Sequence, residues 1–284
     1  MTNSRALGLF ILLGIPALYL AVFFITPMLH MVLFSFWRQS QVGLVAVDWT
    51  LDNYREIISP YYMRLFLRTI RVAAVTTLAC AIIGFPIAYF IARARPTMKS
   101  IAIFLVMSPL MVSTVVRVFG TTLIIGNTGI LNQFLMDLGF SRIRIIQTEM
   151  AIVIGLVQML LPLMVLPIVS AIERIPRNLE EAACNLGAGW FRIFTTTIFP
   201  LSLPGLISGS ILTYSLAVSA LVIPALLGGA GDRMLGQQIY DQMFVAYNWP
   251  AAATLSVVLV IVTAIAATIG LAATARLSAT RQGK

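Results

Sequence analysis

The sequence has 284 residues, of which 60% are hydrophobic and only 10% are charged. An average soluble domain carries about 25% charged residues, so this composition excludes an ordinary soluble protein and indicates lipid as the solvent. The net charge of +9 does not indicate nucleic-acid binding, because the basic residues are scattered between apolar stretches instead of forming a stripe with aromatic residues.

Six apolar stretches are each long enough to cross a bilayer as a helix, which takes about 20 residues. The first is about twice as long as the 7–15 apolar residues of a signal peptide, so it predicts an uncleaved span. We therefore expect an all-α integral membrane protein with six transmembrane helices, forming one membrane domain over residues 1–284. The predicted spans are residues 7–36, 70–92, 101–125, 150–172, 198–227 and 251–275.

The connection between the second and third predicted spans is very short and carries Arg93, Arg95 and Lys99. Short loops that are rich in Lys and Arg stay on the cytoplasmic side of a membrane. This loop therefore predicts cytoplasmic termini. It also places the connection between the fourth and fifth spans, residues 173–197, in the cytoplasm.

That cytoplasmic loop has the pattern of a short amphipathic helix. Asn178 and Glu181 have the spacing of a capping box, which predicts a helix that begins at Leu179. Gly187 is well placed to end it, and a second helical stretch follows at 190–197. The pattern fits either an ordinary connector or a surface for another protein. One narrow face carries small and apolar residues: Leu179, Ala182, Ala183 and Leu186.

Within this loop, Glu181-Ala182-Ala183, then Gly187, then Pro200 resemble the EAA loop of binding-protein-dependent ABC importer permeases. The resemblance implies a type I (MetI-like) permease fold, and a coupling helix that docks in a cleft of a cytoplasmic ATPase. Thr197 and Phe199 depart from the family pattern, which usually has Ile and Leu there; this bears on local packing and not on docking. The coupling residues that it implies are Glu180, Glu181, Ala182, Ala183, Leu186, Gly187 and Pro200.

Further segments resemble the spermidine/putrescine branch of this family, which also contains permeases for opines, phosphonates, amino-acid-like compounds and ferric iron. The resemblance implies a multi-pass protein of the bacterial inner membrane. Its implied partners are a second, homologous permease, a cytoplasmic ATPase dimer and a periplasmic substrate-binding protein. The segments are 49–54 (WTLDNY), Arg68-Thr69, 84–89 (GFPIAY), Arg93, Arg117, 126–132 (GNTGILN), Pro204-Gly205, 227–229 (LGG) and 249–252 (WPAA).

The sequence itself offers no ATPase site. Its lysines, Lys99 and Lys284, do not follow a GxxxxG phosphate-binding loop, so we expect ATP and Mg to be held by the partner ATPase and no cofactor to be bound by this chain. The two cysteines, Cys80 and Cys184, stand far apart and outside any CxxC or Cys/His cluster. They indicate neither a metal site nor a disulfide framework.

Arg117 is the strongest pathway candidate, because an ionisable residue inside the bilayer is costly unless it faces protein or water. Its functional alternatives are to attract an anionic substrate group or to hold a gate. Its structural alternatives are to bond backbone carbonyls near Pro109 or to snorkel outward. Gln158 is a second candidate, as an isolated polar residue near mid-membrane beside Pro162.

The fifth span carries a polar stripe beside Tyr214, formed by Ser208, Ser215 and Ser219, which fall on one helical face. The stripe fits a hydroxyl-lined substrate path. It equally fits helix packing, which is favoured by the Gly205-xxx-Gly209 spacing.

Two other function classes compete with an importer permease. A membrane enzyme would need a reaction centre, and the sequence has no HExxH, no GxSxG and no paired intramembrane carboxylates. An ion-coupled secondary transporter usually needs membrane carboxylates, yet none of the ten acidic residues lies near the middle of a predicted span. The substrate stays open between a polyamine, which would want carboxylates, and a zwitterion or anion suited to Arg117.

Overall fold

The computed structural model describes Gly14 and residues 16–39, 45–229 and 231–282. Helices dominate this part of the chain, with one small antiparallel β-hairpin. Contacts group the described residues into two compact units, one from Met1–Met63 and Gln238–Val260, the other from Arg64–Gln237 and Ile261–Lys284. The single domain over 1–284 stays a prediction, because this grouping by contacts does not test it.

The elements follow one another in this order. They are α1 (Pro16–Ser35), β1 (Trp37–Gln39), β2 (Val45–Trp49), α2 (Asp52–Ile57), α3 (Pro60–Arg93), α4 (Pro96–Met111), α5 (Thr114–Ile125), α6 (Ile130–Asp137), α7 (Glu149–Glu173), α8 (Arg177–Asn185), α9 (Trp190–Val218), α10 (Val222–Leu227), α11 (Leu235–Tyr240) and α12 (Trp249–Gln282). π-Helical turns occur at Ala21–Ile25 in α1, at Phe194–Ile198 in α9 and at Asp241–Val245 after α11.

Six candidate spans in the described residues are long and apolar enough to cross a membrane: Pro16–Ser35, Pro60–Arg93, Thr114–Asp137, Glu149–Glu173, Trp190–Val218 and Trp249–Ala272. The expectation of an all-α protein with six spans is confirmed, with the β-hairpin as an addition. Residues 7–13 and 15 of the predicted first span lie outside the described residues.

The third predicted span, 101–125, is divided between α4 and α5. Pro109 lies in the last turn of α4. Because proline has no backbone N–H, it cannot donate a helical hydrogen bond there. The backbone turns extended at Val112 and Ser113, with ψ of 135° at both. The fifth predicted span is also interrupted, since α9 ends at Val218 and α10 begins at Val222.

In the first unit, the hairpin and α2 are tied to the end of α1. The Asn53 side-chain amide donates to the carbonyl oxygens of Ser35 and Trp37 at 3.0 and 2.9 Å. The hydroxyl of Thr254, in α12, donates to the same Ser35 carbonyl at 3.1 Å. Asp52 pairs with Arg38 at 3.0 Å on the exposed side of this cluster. These hydrogen bonds hold α2 and the described end of β1 against the end of α1.

The core of the second unit lies between α7 and α9. A Cβ on Gly205 would lie 2.5 Å from the Cβ of Ala171 and one on Gly209 would lie 2.9 Å from the Sδ of Met164. Side chains at these positions would force the helices apart, so the two glycines allow α9 to approach α7 closely. The Gly205-xxx-Gly209 pattern therefore packs helices, as that reading of the sequence predicted.

One acidic side chain at the start of α7 forms ion pairs with two arginines. Glu149, at the start of α7, accepts from Arg68 Nε at 2.9 Å and from Arg71 Nη2 at 2.5 Å, and both arginines are on α3. Arg68 also donates to the carbonyl of Gly231, and the hydroxyl of Thr69 accepts from the Leu235 amide at 2.9 Å. These contacts fix α3, α7 and the 231–235 segment together.

Candidate coupling and pathway sites

The predicted helix in the 173–197 connection is present as α8, but its start was predicted wrongly. It begins at Arg177 with Pro176 as the N-cap, and no side chain caps it. Proline is pre-set for the first turn of a helix, and the Leu179 amide already bonds to the Pro176 carbonyl at 3.2 Å. The helix therefore starts before Asn178 can act as its cap.

The end of α8 is where the sequence places it. Gly187 has a φ of +78°, the left-handed conformation that glycine adopts without strain. Its amide donates to the Cys184 carbonyl at 2.9 Å and the Ala188 amide donates to the Ala183 carbonyl at 3.0 Å. These two bonds form a Schellman motif, which satisfies carbonyls at the end of the helix.

Most of the predicted coupling residues form an open surface on α8. Glu181, Ala182 and Gly187 are exposed, Ala183 is half-buried, and Leu186 leaves 88% of its area uncovered. A leucine this exposed at the end of a polar helix is an apolar contact without a partner in the described chain. Pro200 lies apart from this surface, half-buried near the start of the α-helical part of α9.

Glu180 differs from the other coupling residues, because it faces its own chain. It forms an ion pair with Arg93 of α3, and only 14% of the Arg93 side chain and 18% of the Glu180 side chain stay exposed. The hydroxyl of Tyr89, also on α3, donates to Glu180 Oε2 at 3.1 Å. Tyr89 and Arg93 are four residues apart in the sequence, which shows that they share a helix face but not that they contact Glu180.

Thr121, a residue that the sequence analysis missed, connects the Arg117 backbone to the Gln158 side chain, and these three residues are called the Arg117 cluster below. The Thr121 hydroxyl lies 2.9 Å from the Arg117 carbonyl oxygen and 3.0 Å from Gln158 Oε1. The sequence suggested that Gln158 is an isolated polar residue, but its hydrogen bond with Thr121 shows that it is not. A hydroxyl one helical turn after Arg117 was the available signal, since residues four apart share a face.

Arg117 is the unsatisfied member of this cluster. Its Nη2 donates to Thr114 Oγ1 at 3.3 Å, whereas its buried Nε and Nη1 have no hydrogen-bond partner within the described residues. Gln158 lies nine residues into α7, about 14 Å from Glu149 at 1.5 Å per residue. This depth is close to the middle of a hydrocarbon layer about 30 Å thick.

The serine stripe of α9 is only partly a surface. Ser208 and Ser219 are exposed, whereas Ser215 and Tyr214 are half-buried. The Ser208 hydroxyl donates to the Pro204 carbonyl at 2.8 Å and the Ser219 hydroxyl to the Ser215 carbonyl at 3.1 Å. Ser219 lies just past the last residue of α9, so the stripe ends where the helix does.

Six apolar spans and an exposed helical connection between the fourth and fifth define a multi-span membrane permease. Residues 81–278 match the family described as the inner membrane component of binding-protein-dependent transport systems. The chain belongs to this family and is a multi-pass protein of the inner membrane. The resemblance seen in the EAA-like loop is thereby confirmed.

Curated relatives agree with this assignment. The chain is 35% identical over 246 residues to the spermidine/putrescine transport system permease protein PotB of Escherichia coli K12, covering 86% of this chain and 90% of that one. It is 34% identical over 249 residues to PotB of Haemophilus influenzae, covering 87% of each. These relatives are transport permeases and not enzymes.

Solved structures share the fold at low sequence identity. A chain of a bacterial ABC transporter that imports the acidic polysaccharide alginate matches with a TM-score of 0.78 and 15% identity, covering 96% of both chains. A chain of the MetNI methionine ABC transporter matches with a TM-score of 0.59 and 20% identity, covering 78% of this chain and 99% of that one. The predicted type I (MetI-like) importer permease fold is confirmed.

Proposed function

We propose that this chain is the permease subunit of an ATP-driven importer that carries a polyamine or a related amine. The solute would pass from a periplasmic binding protein into the cytoplasm. The observation that carries the proposal is the exposed face of α8, which ends in a left-handed glycine and presents Leu186 to solvent. Similarity to PotB over most of the chain supports the substrate class.

In this proposal α8 is the coupling helix. A cleft of the partner ATPase receives Glu181, Ala182, Ala183 and Leu186, because the alanines let a partner backbone approach and Leu186 supplies apolar contact area. ATP and Mg are bound by the ATPase dimer and not by this chain. When the ATPases close, the coupling helices move, and residues 1–284 act as one permease domain that alternates between outward-facing and inward-facing states.

The Arg117 cluster supports a place for the substrate path at mid-membrane. The cluster consists of Arg117, Thr121 and Gln158, and we add to the pathway Ser208, Tyr214 and Ser215 of α9 together with Ser219, just past its end. A half-buried guanidinium with two buried, unsatisfied nitrogens is a poor structural element, because withdrawing unpaired polar groups from water is costly. It is well suited to an anionic group that arrives from outside this chain.

A polyamine carries only positive charge, so it needs carboxylates that the middle of these spans does not supply. We propose that a second, homologous permease supplies them and that the two permeases line one path. Arg117 favours a second candidate, a solute with a carboxylate such as an opine or an amino acid, because a guanidinium pairs well with carboxylates. The two candidates differ in a measurable charge preference.

Purification and uptake test the proposal together. Tagged permease, solubilised from the membrane of its native host, should bring down an ATPase and a second permease. Vesicles with the binding protein should take up labelled spermidine or putrescine when ATP is supplied inside. A Leu186→Asp variant should lose the ATPase, whereas Ile58→Asp, at another exposed apolar residue, should keep it. Uptake that proceeds without any ATPase would overturn the proposal.

A further inference from the structure

The cytoplasmic end of α3 is attached to α8 through side chains that lie one helical turn apart. Tyr89 and Arg93 are four residues apart and so share a face of α3. Both reach the Glu180 carboxylate, Arg93 through an ion pair and Tyr89 through a hydrogen bond of 3.1 Å. Each carboxylate oxygen therefore has its own partner on α3.

Backbone contacts reinforce this attachment in both directions. Arg93 Nη2 donates to the carbonyl oxygen of Ile175 at 3.2 Å, in the turn just before α8. Arg177, the first residue of α8, donates from its Nη2 to the Arg93 carbonyl at 3.1 Å. The start of α8 is thus bonded to α3 through the backbone carbonyl of Ile175 and through the side chain of Arg177.

The neighbouring carboxylate has the opposite environment. Glu181 is exposed, and no salt bridge to it is found in the part of the chain that the structure describes. Consecutive residues of a helix point about 100° apart, so Glu180 can face α3 while Glu181 faces outward. Two adjacent glutamates in one motif therefore have different surroundings.

We infer that Glu180 is a positioning residue that transmits displacement of α8 to α3 through Tyr89 and Arg93, while Glu181 is the carboxylate left for the ATPase. This inference deepens the proposed function and depends on it. A charge pair that is largely withdrawn from water is costly to separate, so α3 follows α8 when a motor protein moves it. Without the pair, the short turn 174–176 would absorb part of the movement.

The test separates attachment from docking by exchanging the charges. Glu180→Arg places like charges together and should release α8 from α3. We expect substrate uptake to fall about tenfold, within the range in which mutations change coupling between sites. ATP hydrolysed per molecule transported should rise, and the amount of co-purified ATPase should stay unchanged. Adding Arg93→Glu to this variant restores opposite charges and should recover uptake.

Two single variants serve as comparisons. Glu181→Arg should lose the ATPase, because it changes the outward carboxylate. Glu173→Gln removes the other ion pair at this end of the bundle, with Lys99 at 2.7 Å, and should leave uptake close to that of the wild type. If Glu180→Arg does not insert into the membrane, Glu180→Gln and Tyr89→Phe weaken the same contacts while keeping the side-chain size.

Each outcome decides the question. Loss of the ATPase from Glu180→Arg without recovery in the double variant would make Glu180 a docking residue and overturn the inference. Wild-type uptake in Glu180→Arg would overturn it as well, because the attachment would then carry no movement. If the wild-type permease itself brings down no ATPase, the proposed function fails, and that result is distinct from either of these.

Discussion

Gly209 of α9 lies directly against Met164 of α7, so close that a Cβ on Gly209 would be 2.9 Å from the Met164 Sδ and 3.0 Å from its carbonyl oxygen. The carbonyl belongs to the backbone and cannot move aside. Gly209→Val should therefore reduce the free energy of unfolding by about 1–3 kcal/mol, measured by thermal unfolding in detergent. Gly120→Val is the control, since no atom lies within 4 Å of its Cβ. Equal losses in both variants would contradict the packing argument.

Glu149 should contribute to stability as a partner of two arginines. Arg68 and Glu149 are 27% and 28% exposed, so their pair is less screened by solvent than a surface pair. Glu149→Gln should cost about 1–2 kcal/mol, between the values for exposed and buried pairs. Asp52→Asn breaks the more exposed pair with Arg38, at 56% and 63% exposure, and should lower the melting temperature less. The reverse order would show that solvent screening does not govern these pairs.

The stability of the first unit should depend on the ionisation of Asp52. A hydrogen bond from the Thr50 hydroxyl, then the Arg38 guanidinium, lower the pKa of this carboxyl from its ordinary value of 3.8. Ionised Asp52 therefore adds stability above that value, and the gain is lost as the pH falls through the lowered pKa. The difference in melting temperature between wild type and Asp52→Asn should be largest near neutral pH and vanish in acid. High salt should shrink it, and a difference that grows toward acid would contradict the prediction.

Gly187 should be required for its backbone conformation and not for space. Its φ is +78° and no atom lies within 4 Å of a Cβ placed there. Replacement by Val should therefore cost about 1–2 kcal/mol from the left-handed conformation alone. Asn should be tolerated best, then Ala, then Val, in both uptake and co-purified ATPase. Equal activity of Gly187→Asn and Gly187→Val would show that the left-handed end of α8 is not needed.

Arg117 should be needed for transport more than for folding. Its buried Nε and Nη1 lack partners among the described residues, so Arg117→Met removes a desolvation cost and should keep or raise the melting temperature. Uptake should fall about tenfold, the effect of losing one charged hydrogen bond. Arg117→Lys keeps the charge and should retain more uptake. A fall in melting temperature together with uptake would assign Arg117 a structural role.

The sequence predicted six spans and the end of α8 because each depends on local chemistry, but the bounds of the third span, predicted as 101–125, were wrong, since the candidate span there is Thr114–Asp137. Long apolar runs have few other solutions in lipid, and Gly187 follows the last residues of the helical pattern, where a glycine suits a left-handed end. The start of α8 was missed because both Pro176 and Asn178 can precede a helix. In the structure Pro176 is the N-cap, and the helix begins at Arg177. The division of the third span was missed because hydropathy continues unchanged through Val112 and Ser113.

Contacts between distant residues were beyond the sequence. Glu180 and Glu181 are the same residue type in the sequence, and their surroundings differ only because α3 lies on one side of α8. Thr121 joins Arg117 to Gln158 across two helices, which no spacing rule within one helix can show. In the proposed function, the pathway assignment of the serines also depends on the second permease, whose surface would decide which exposed hydroxyls meet water.

The extended residues Val112 and Ser113 interrupt the helix that would otherwise continue through the predicted third span. A continuous helix carries a push or a twist from one end to the other, whereas Val112 and Ser113 form a joint whose torsions can change at small cost. Rotation of α5 about this joint would swing Arg117 while α4 and its cytoplasmic anchorage stay in place. In the proposed function, the charged group at mid-membrane could thus be moved separately from the end of the bundle that contacts the ATPase.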